Sequence, residues 1–199
     1  LGSKGRLRES ETKEVPFFFL TVEPPSIPVL INEQQELATI PLSQLMKKYN
    51  GTFSTEEAAL NATTKRKIVI KKLPNYLFIH IKRFSKNNFF KEKNPTIVSF
   101  AIKGLDLGNS LNQPEKVTPA IYDLVGNVIH QGNAESGIYH AQVLHEPTQE
   151  WHDIQDLIVN KIMPQQVTVS ESSILLFKKD DLIKTIILLE YDTGFWGFG

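Results

Sequence analysis

Residues 73–100 read LPNYLFIHIKRFSKNNFFKEKNPTIVSF, and this stretch decides the fold. Tyr76 to Phe84 is rich in β-branched and aromatic residues and contains nothing that breaks a strand. Leu77, Ile79 and Ile81 fall on one side, with Tyr76, Phe78, His80, Lys82 and Phe84 on the other. Both sides are largely apolar over the first six residues, which predicts a central strand covered on both faces. The polar turn from Ser85 to Asn88 ends it, and Thr96 to Phe100, introduced by Pro95, predicts a second short strand.

Upstream, Val15 to Val22 (VPFFFLTV) predicts a buried strand cut off by Pro24-Pro25. Leu42 to Tyr49 begins behind Pro41 and places Leu42, Leu45, Met46 and Tyr49 at helical spacing, so it predicts a short amphipathic helix ended by Asn50-Gly51. Ser54-Thr55-Glu56-Glu57 has the form of a helix start, and residues 65–72 alternate basic and apolar side chains as a strand would. Downstream, Gly104 to Pro119 is punctuated by Gly, Asn and Pro and predicts an exposed connection. Ile121 to His130, with Gly126 as a bulge, and Gly137 to Leu144 predict an antiparallel pair joined by a turn over Gln131 to Ser136. Trp151 to Val159, Gln166 to Val169 and Ser172 to Lys178 are predicted to complete a largely antiparallel sheet.

Leu-Pro-x-Tyr-Leu followed by His80-Ile81-Lys82-Arg83-Phe84, a polar loop with Lys91 and a short strand resembles the central palm strand of the ubiquitin-specific protease family. Tyr122-Asp123-Leu124, His130-x-Gly132, Gly137-x-Tyr139, Trp151 and the closing Ile-Leu-Leu-Phe follow in the family's order. Through Phe84 to Phe90 and Glu92 to Val98 the likeness is closer to the family's catalytically inactive, splicing-associated member of the tri-snRNP. The resemblance implies an α+β, papain-like fold, mainly the antiparallel palm sheet with finger strands and short helices. It divides the chain into a flexible lead-in (1–15), the protease-like domain (16–179) and a tail (180–199). That tail is open to three readings: a docked strand or helix, a disordered extension and an artefact of the fragment.

Cysteine-protease chemistry needs a thiolate, an imidazole within hydrogen-bond reach, and a third group that holds the imidazole's tautomer. By resemblance the imidazole belongs in a Gly-His-Tyr strand start, and the orienting Asp or Asn a few residues after a Trp. Here the first motif reads Gly137-Ile138-Tyr139, and an isoleucine carries no proton. The third position falls on Gln155, with Asp156 following, so Ile138, Gln155 and Asp156 are the vestigial catalytic positions. His140 shares a face with Ile138 but lies about 6 to 7 Å further along the strand, far beyond a hydrogen-bond length. It is therefore expected to be an ordinary sheet histidine.

The chain has 199 residues and no cysteine, which excludes disulfides, thiolate zinc sites and a cysteine nucleophile within it. The five histidines have no metal-ligand spacing, and Gly104-x-x-x-Gly108 lacks the Lys-Ser/Thr of a phosphate loop, so no cofactor or metal is expected. No apolar run spans a bilayer and Leu1 to Ser10 has no signal-peptide core; no membrane contact is expected, and the sequence, which does not begin with Met, is expected to be a fragment.

The formal net charge is zero, yet residues 65–93 hold ten lysines or arginines against one acid, Glu92. Lys82, Arg83, Lys86, Lys91 and Lys93 are the candidates for partner contact, with a solvated strand edge as the plain alternative. The phenylalanines among them would also suit RNA, a second class of partner. The resemblance implies two alternative functions. One is a nuclear interaction module that binds spliceosomal tri-snRNP proteins; the other is an active deubiquitinating hydrolase with its nucleophile upstream. Whether ubiquitin is bound is not legible in these residues.

Overall fold

The computed structural model describes residues 11–25, 39–59, 62–86, 90–111 and 120–180. In chain order the elements are β1 (Phe19–Val22), β2 (Thr39–Pro41), α1 (Leu42–Met46), a 3-10 turn (Lys47–Tyr49), β3 (Asn50–Ala59) and β4 (Ala62–Val69). Then come β5 (Tyr76–Ile81), β6 (Phe84–Lys86), β7 (Lys91–Lys93), β8 (Ile97–Ser99), β9 (Leu105–Asp106) and α2 (Leu107–Ser110). The remainder is β10 (Ile121–Gly132), β11 (Gly137–His145), β12 (Glu150–Gln155), β13 (Ile158–Ile162), α3 (Pro164–Thr168) and β14 (Ser172–Lys179).

The main sheet has eight strands in the order β1-β5-β14-β10-β11-β12-β13, with β9 on the flank of β10. Only β1–β5 is parallel; every other neighbour in this sheet runs antiparallel. The fold is thus α+β and mainly antiparallel, as the sequence predicts. β5 is interior, hydrogen-bonded to β1 and β14. Its Leu77, Ile79 and Ile81 join Leu20, Val22, Leu175 and Phe177 in a core that α1 closes with Leu42 and Met46. Apolar burial of this kind contributes roughly 25 cal/mol per Å² and holds the sheet and helix together.

Several sequence expectations are corrected. Residues 54–57 are not a helix start but lie in β3, because Ser54 to Glu57 pair across a hairpin with Thr64 to Lys67 of β4. Residues 166–169 are not a strand: Pro164 opens α3, and the Met163 N–H donates to Gln166 Oε1 at 2.8 Å, satisfying a helix-terminal donor. Trp151 to Val159 breaks into two strands at Asp156, whose φ is 54°. The predicted exposed connection contains α2, and Leu107 and Leu111 are fully buried; residues 112–119 of it lie outside the described residues. The run from Val15 is buried only from Leu20 on, since Val15, Phe17, Phe18 and Phe19 are exposed. Likewise β5 is fully covered on one face only: Tyr76 is exposed, while Phe78 stacks on Phe18 with ring centroids 5.2 Å apart. The Gly126 bulge is present, as a register shift against β14. Most of the lead-in, the tip of the 85–88 turn and the tail beyond Asp180 lie outside the described residues.

As an outer strand, β1 would leave backbone groups unpaired. At Thr21 this is prevented by one side chain: its N–H donates to Tyr49 Oη (3.0 Å), and the Tyr49 hydroxyl donates to the Thr21 carbonyl (2.7 Å). Burial together with Glu23 raises the Tyr49 pKa, although the Thr21 hydrogen bond opposes that shift.

Candidate functional site

Ile138, Gln155 and Asp156, the three positions the resemblance singles out, lie on the far half of the sheet. Gly137 pairs with Gly132 at the start of β11, and a methyl added there would collide with His130 Nε2 and with the Gln131 carbonyl oxygen. Only glycine fits. Ile138 follows opposite Gln131, with 46% of its surface exposed. Gln155 closes β12 opposite Ile158, and Asp156 occupies the left-handed turn. An aliphatic side chain with no proton to give or take therefore stands at this strand start.

One neighbour was not foreseen. His140 Nδ1 lies 3.2 Å from Asp153 Oδ2, because the register Gln142↔Asp153 brings that carboxylate onto the face carrying Ile138 and His140. A carboxylate on an imidazole nitrogen is an orienting arrangement, but here it is turned inward. His140 is 8% exposed, and its Nε2 is covered by the chain's own atoms without a hydrogen-bond partner among the described residues. Beside it Asn127 Nδ2 donates to Gln142 Oε1 (2.9 Å) and to Ser170 Oγ (2.9 Å), so the patch is a buried polar network. His140 is a sheet histidine, as expected. Its partner could not be inferred without the β11–β12 register.

The basic candidates divide by burial. Lys82 is exposed and pairs with Glu23 (3.1 Å). Lys86 and Lys91 are exposed and stand directly opposite each other across the β6–β7 hairpin. Arg83 is corrected: it is 2% exposed, and its guanidinium donates to the carbonyls of Ser172 (2.5 Å), Asn94 (3.0 Å) and Thr96 (2.6 Å). Burial lowers its pKa, and the charge of Glu171 opposes that shift. Lys93 is also largely covered, bonding the carbonyls of His130 (2.7 Å) and Gly132 (2.8 Å) and pairing with Glu171. These two cations hold the molecule together and present no charge to a partner.

Lys93 thereby pins the hairpin over the end of β10 and creates a groove of about 440 Å³. Its walls include Phe84, Lys86 and Lys91 on one side and His130, Glu135 and Tyr139 on the other. The His130 ring meets Phe84 and Tyr139 edge-on, at centroid distances of 5.0 and 4.9 Å. Burial, then the charge of Lys93, lowers the His130 pKa against the opposing pull of Glu171, which favours the neutral ring. Among the described residues no group of three or more His, Asp or Glu is placed to hold a metal ion.

An antiparallel palm sheet carrying Gly-x-Tyr and Trp at neighbouring strand starts defines the class: a papain-like ubiquitin-specific-protease fold. The family model described as "Ubiquitin carboxyl-terminal hydrolase" matches residues 6–177. The chain belongs to that family, near its splicing member. It is 38% identical over 172 residues to human "Ubiquitin carboxyl-terminal hydrolase 39", covering 84% of this chain and 30% of that protein. With the Schizosaccharomyces pombe "Probable mRNA-splicing protein ubp10" the identity is 32% over 182 residues, covering 86% of this chain and 36% of that protein. The chain thus spans about a third of the relatives it matches. The solved structure described as "an essential yeast splicing factor" superposes with a TM-score of 0.60 at 19% identity, over 83% of this chain and 37% of that one. A solved SAGA DUB module containing Ubp8 gives 0.64 at 21% identity, over 90% of this chain and 37% of that one. At such identities these two speak for the fold alone.

Proposed function

We propose that this chain is the palm part of a catalytically inactive ubiquitin-specific-protease-like scaffold. It acts in the nucleus, supporting pre-mRNA splicing through tri-snRNP assembly or stability. The observation that carries the reading is Ile138 in the Gly137-Ile138-Tyr139 strand start, where proton transfer requires a titratable ring. His140 does not replace it, since its Nδ1 is engaged by Asp153 and its Nε2 is covered. The names of the human and fission-yeast relatives support a splicing role.

The full-length protein, incubated with ubiquitin bearing a C-terminal electrophile, should remain unmodified. A stable adduct that disappears on His140→Ala would instead establish the hydrolase reading. Contact with tri-snRNP proteins is assigned to the exposed lysines, so Lys82→Glu/Lys86→Glu/Lys91→Glu should reduce co-purification with the particle while the circular-dichroism melt stays unchanged. Undiminished co-purification would remove these lysines from the interface.

A further inference from the structure

We infer that β13, the last strand of the main sheet, pairs edge to edge with β13 of a second copy of this chain, antiparallel and with Asn160 on the two-fold axis.

Backbone polarity is the first observation. β13 bonds β12 on one side only, and all of its residues but Ile162 are exposed. The turn of Asp156 and Leu157 leaves Gln155 opposite Ile158, the pair whose backbone hydrogen bond closes a two-residue hairpin. Bonding alternates along an antiparallel pair, so Ile158, Asn160 and Ile162 direct their N–H and C=O groups at β12. Those of Val159 and Lys161 point out of the sheet, and among the described residues no other element's backbone bonds them. The opposite outer strand, β1, is closed at Thr21 by the Tyr49 hydroxyl; among the described residues no side chain does the same for β13.

A second observation is that this edge matches itself. Leu157 to Met163 reads LIVNKIM, and an antiparallel copy centred on Asn160 sets Ile158 against Ile162 and Leu157 against Met163. Val159 then meets the aliphatic stem of Lys161. These are the two residues with outward backbone groups, so each such pair exchanges both of its hydrogen bonds. Asn160 faces its own copy in a non-hydrogen-bonded pair, where Cα atoms lie about 4.5 Å apart and the two carboxamides bond each other. Centring the pairing on Val159 or on Lys161 instead sets Asn160 against an isoleucine.

Charge complementarity is the third. A lysine on an outer strand ordinarily repels a second strand, but Lys161 Nζ lies 2.5 Å from Glu150 Oε1 on β12. Each copy brings its own counter-charge, and the edge meets its image as a neutral strip in which Leu157, Ile158 and Val159 are exposed. A strand of 5 residues a side falls far short of the roughly 20–30 a side of a standard interface, so the pairing is reversible and concentration-dependent.

The chain has no cysteine, so a single introduced thiol reports the geometry. With oxidised glutathione, Asn160→Cys should form a disulfide-linked dimer, because Cα atoms about 4.5 Å apart lie within disulfide reach. Leu157→Cys, at a position 92% exposed but about 20 Å from its own copy in this register, should cross-link about tenfold more slowly or less. Sedimentation equilibrium of the unaltered chain from about 1 µM to about 1 mM should show monomer and dimer in exchange. Val159→Pro removes an outward N–H and none of the bonds to β12, and should weaken the dimer about tenfold or more. Asn160→Asp, which sets two carboxylates on the axis, should weaken it in the same direction, and Lys47→Glu, on the 3-10 turn, should leave it unchanged. A monomer at every concentration, a dimer indifferent to both edge variants, or equal cross-linking from positions 157 and 160 would each overturn the inference. Should Val159→Pro unfold the chain, the two cysteine variants decide alone.

Discussion

Replacing Arg83 by Met tests whether this side chain is an internal staple. Arg83 follows β5, and its guanidinium reaches carbonyls before β8 (Asn94 and Thr96) and at the start of β14 (Ser172). Its own carbonyl accepts from the Asn94 N–H at 2.7 Å, and Asn94 Nδ2 donates to the carbonyls of Pro24 and Pro25 beyond β1. Three chain segments therefore meet at Arg83, and Asn94 ties in a fourth. Met keeps most of the apolar stem, so the loss reports the hydrogen bonds rather than a cavity. Buried ion pairs can often be replaced by apolar residues without loss, but only when both partners change. Here the acceptors are backbone carbonyls, which no side-chain substitution removes. Each unsatisfied acceptor costs about 1–3 kcal/mol, and relief of the buried charge offsets part of the sum, leaving a net loss of about 3–5 kcal/mol. For a chain of this size that lowers Tm by roughly 6–20 °C. Arg83→Lys should recover only part of the loss, because an ammonium keeps charge and donors but lacks the planar fork that spans the three carbonyls. Lys82→Met, next in sequence but exposed, should cost less than about 1 kcal/mol. Urea denaturation followed by circular dichroism measures all three. Equal stability of Arg83→Met and Lys82→Met would refute the staple.

Tyr49→Phe leaves the N–H and carbonyl of Thr21 without the hydroxyl that closes the outer edge of β1. It should cost about 1–3 kcal/mol in the same denaturation and increase concentration-dependent association by light scattering. Tyr122 sets the alkaline limit: burial raises its pKa to about 12, and its hydroxyl donates to the Pro74 carbonyl at 2.5 Å. The unfolded chain ionises from about pH 10 while the folded one does not, so this contribution is complete below pH 10 and is lost as pH rises toward 12, by about 1.4 kcal/mol per unit. Tyr122→Phe should flatten that fall in a pH-resolved melt; an unchanged alkaline slope would contradict it.

The elements that repeat with period two were legible because their burial follows from local pattern. β5, β10, β11 and β14 all lie where alternation places them, and Ile138 at the start of β11 is read from the strand motif around it. Elements decided by distant partners were not legible. Ser54 to Glu57 looks like a helix start until Thr64 to Lys67 pair with it, and Gln166 to Val169 looks like a strand until Pro164 and the Met163–Gln166 bond open a helix. The basic residues show the limit most clearly. Arg83 and Lys93 have the same local character as Lys86 and Lys91, and a charge pattern carries no information about carbonyls up to 89 residues away. By itself the sequence determined the main strands of the sheet and the aliphatic residue between Gly137 and Tyr139. Tertiary structure decided which cations are buried as staples and which face a groove, because burial of a charge depends on acceptors that only the assembled chain brings within hydrogen-bond reach.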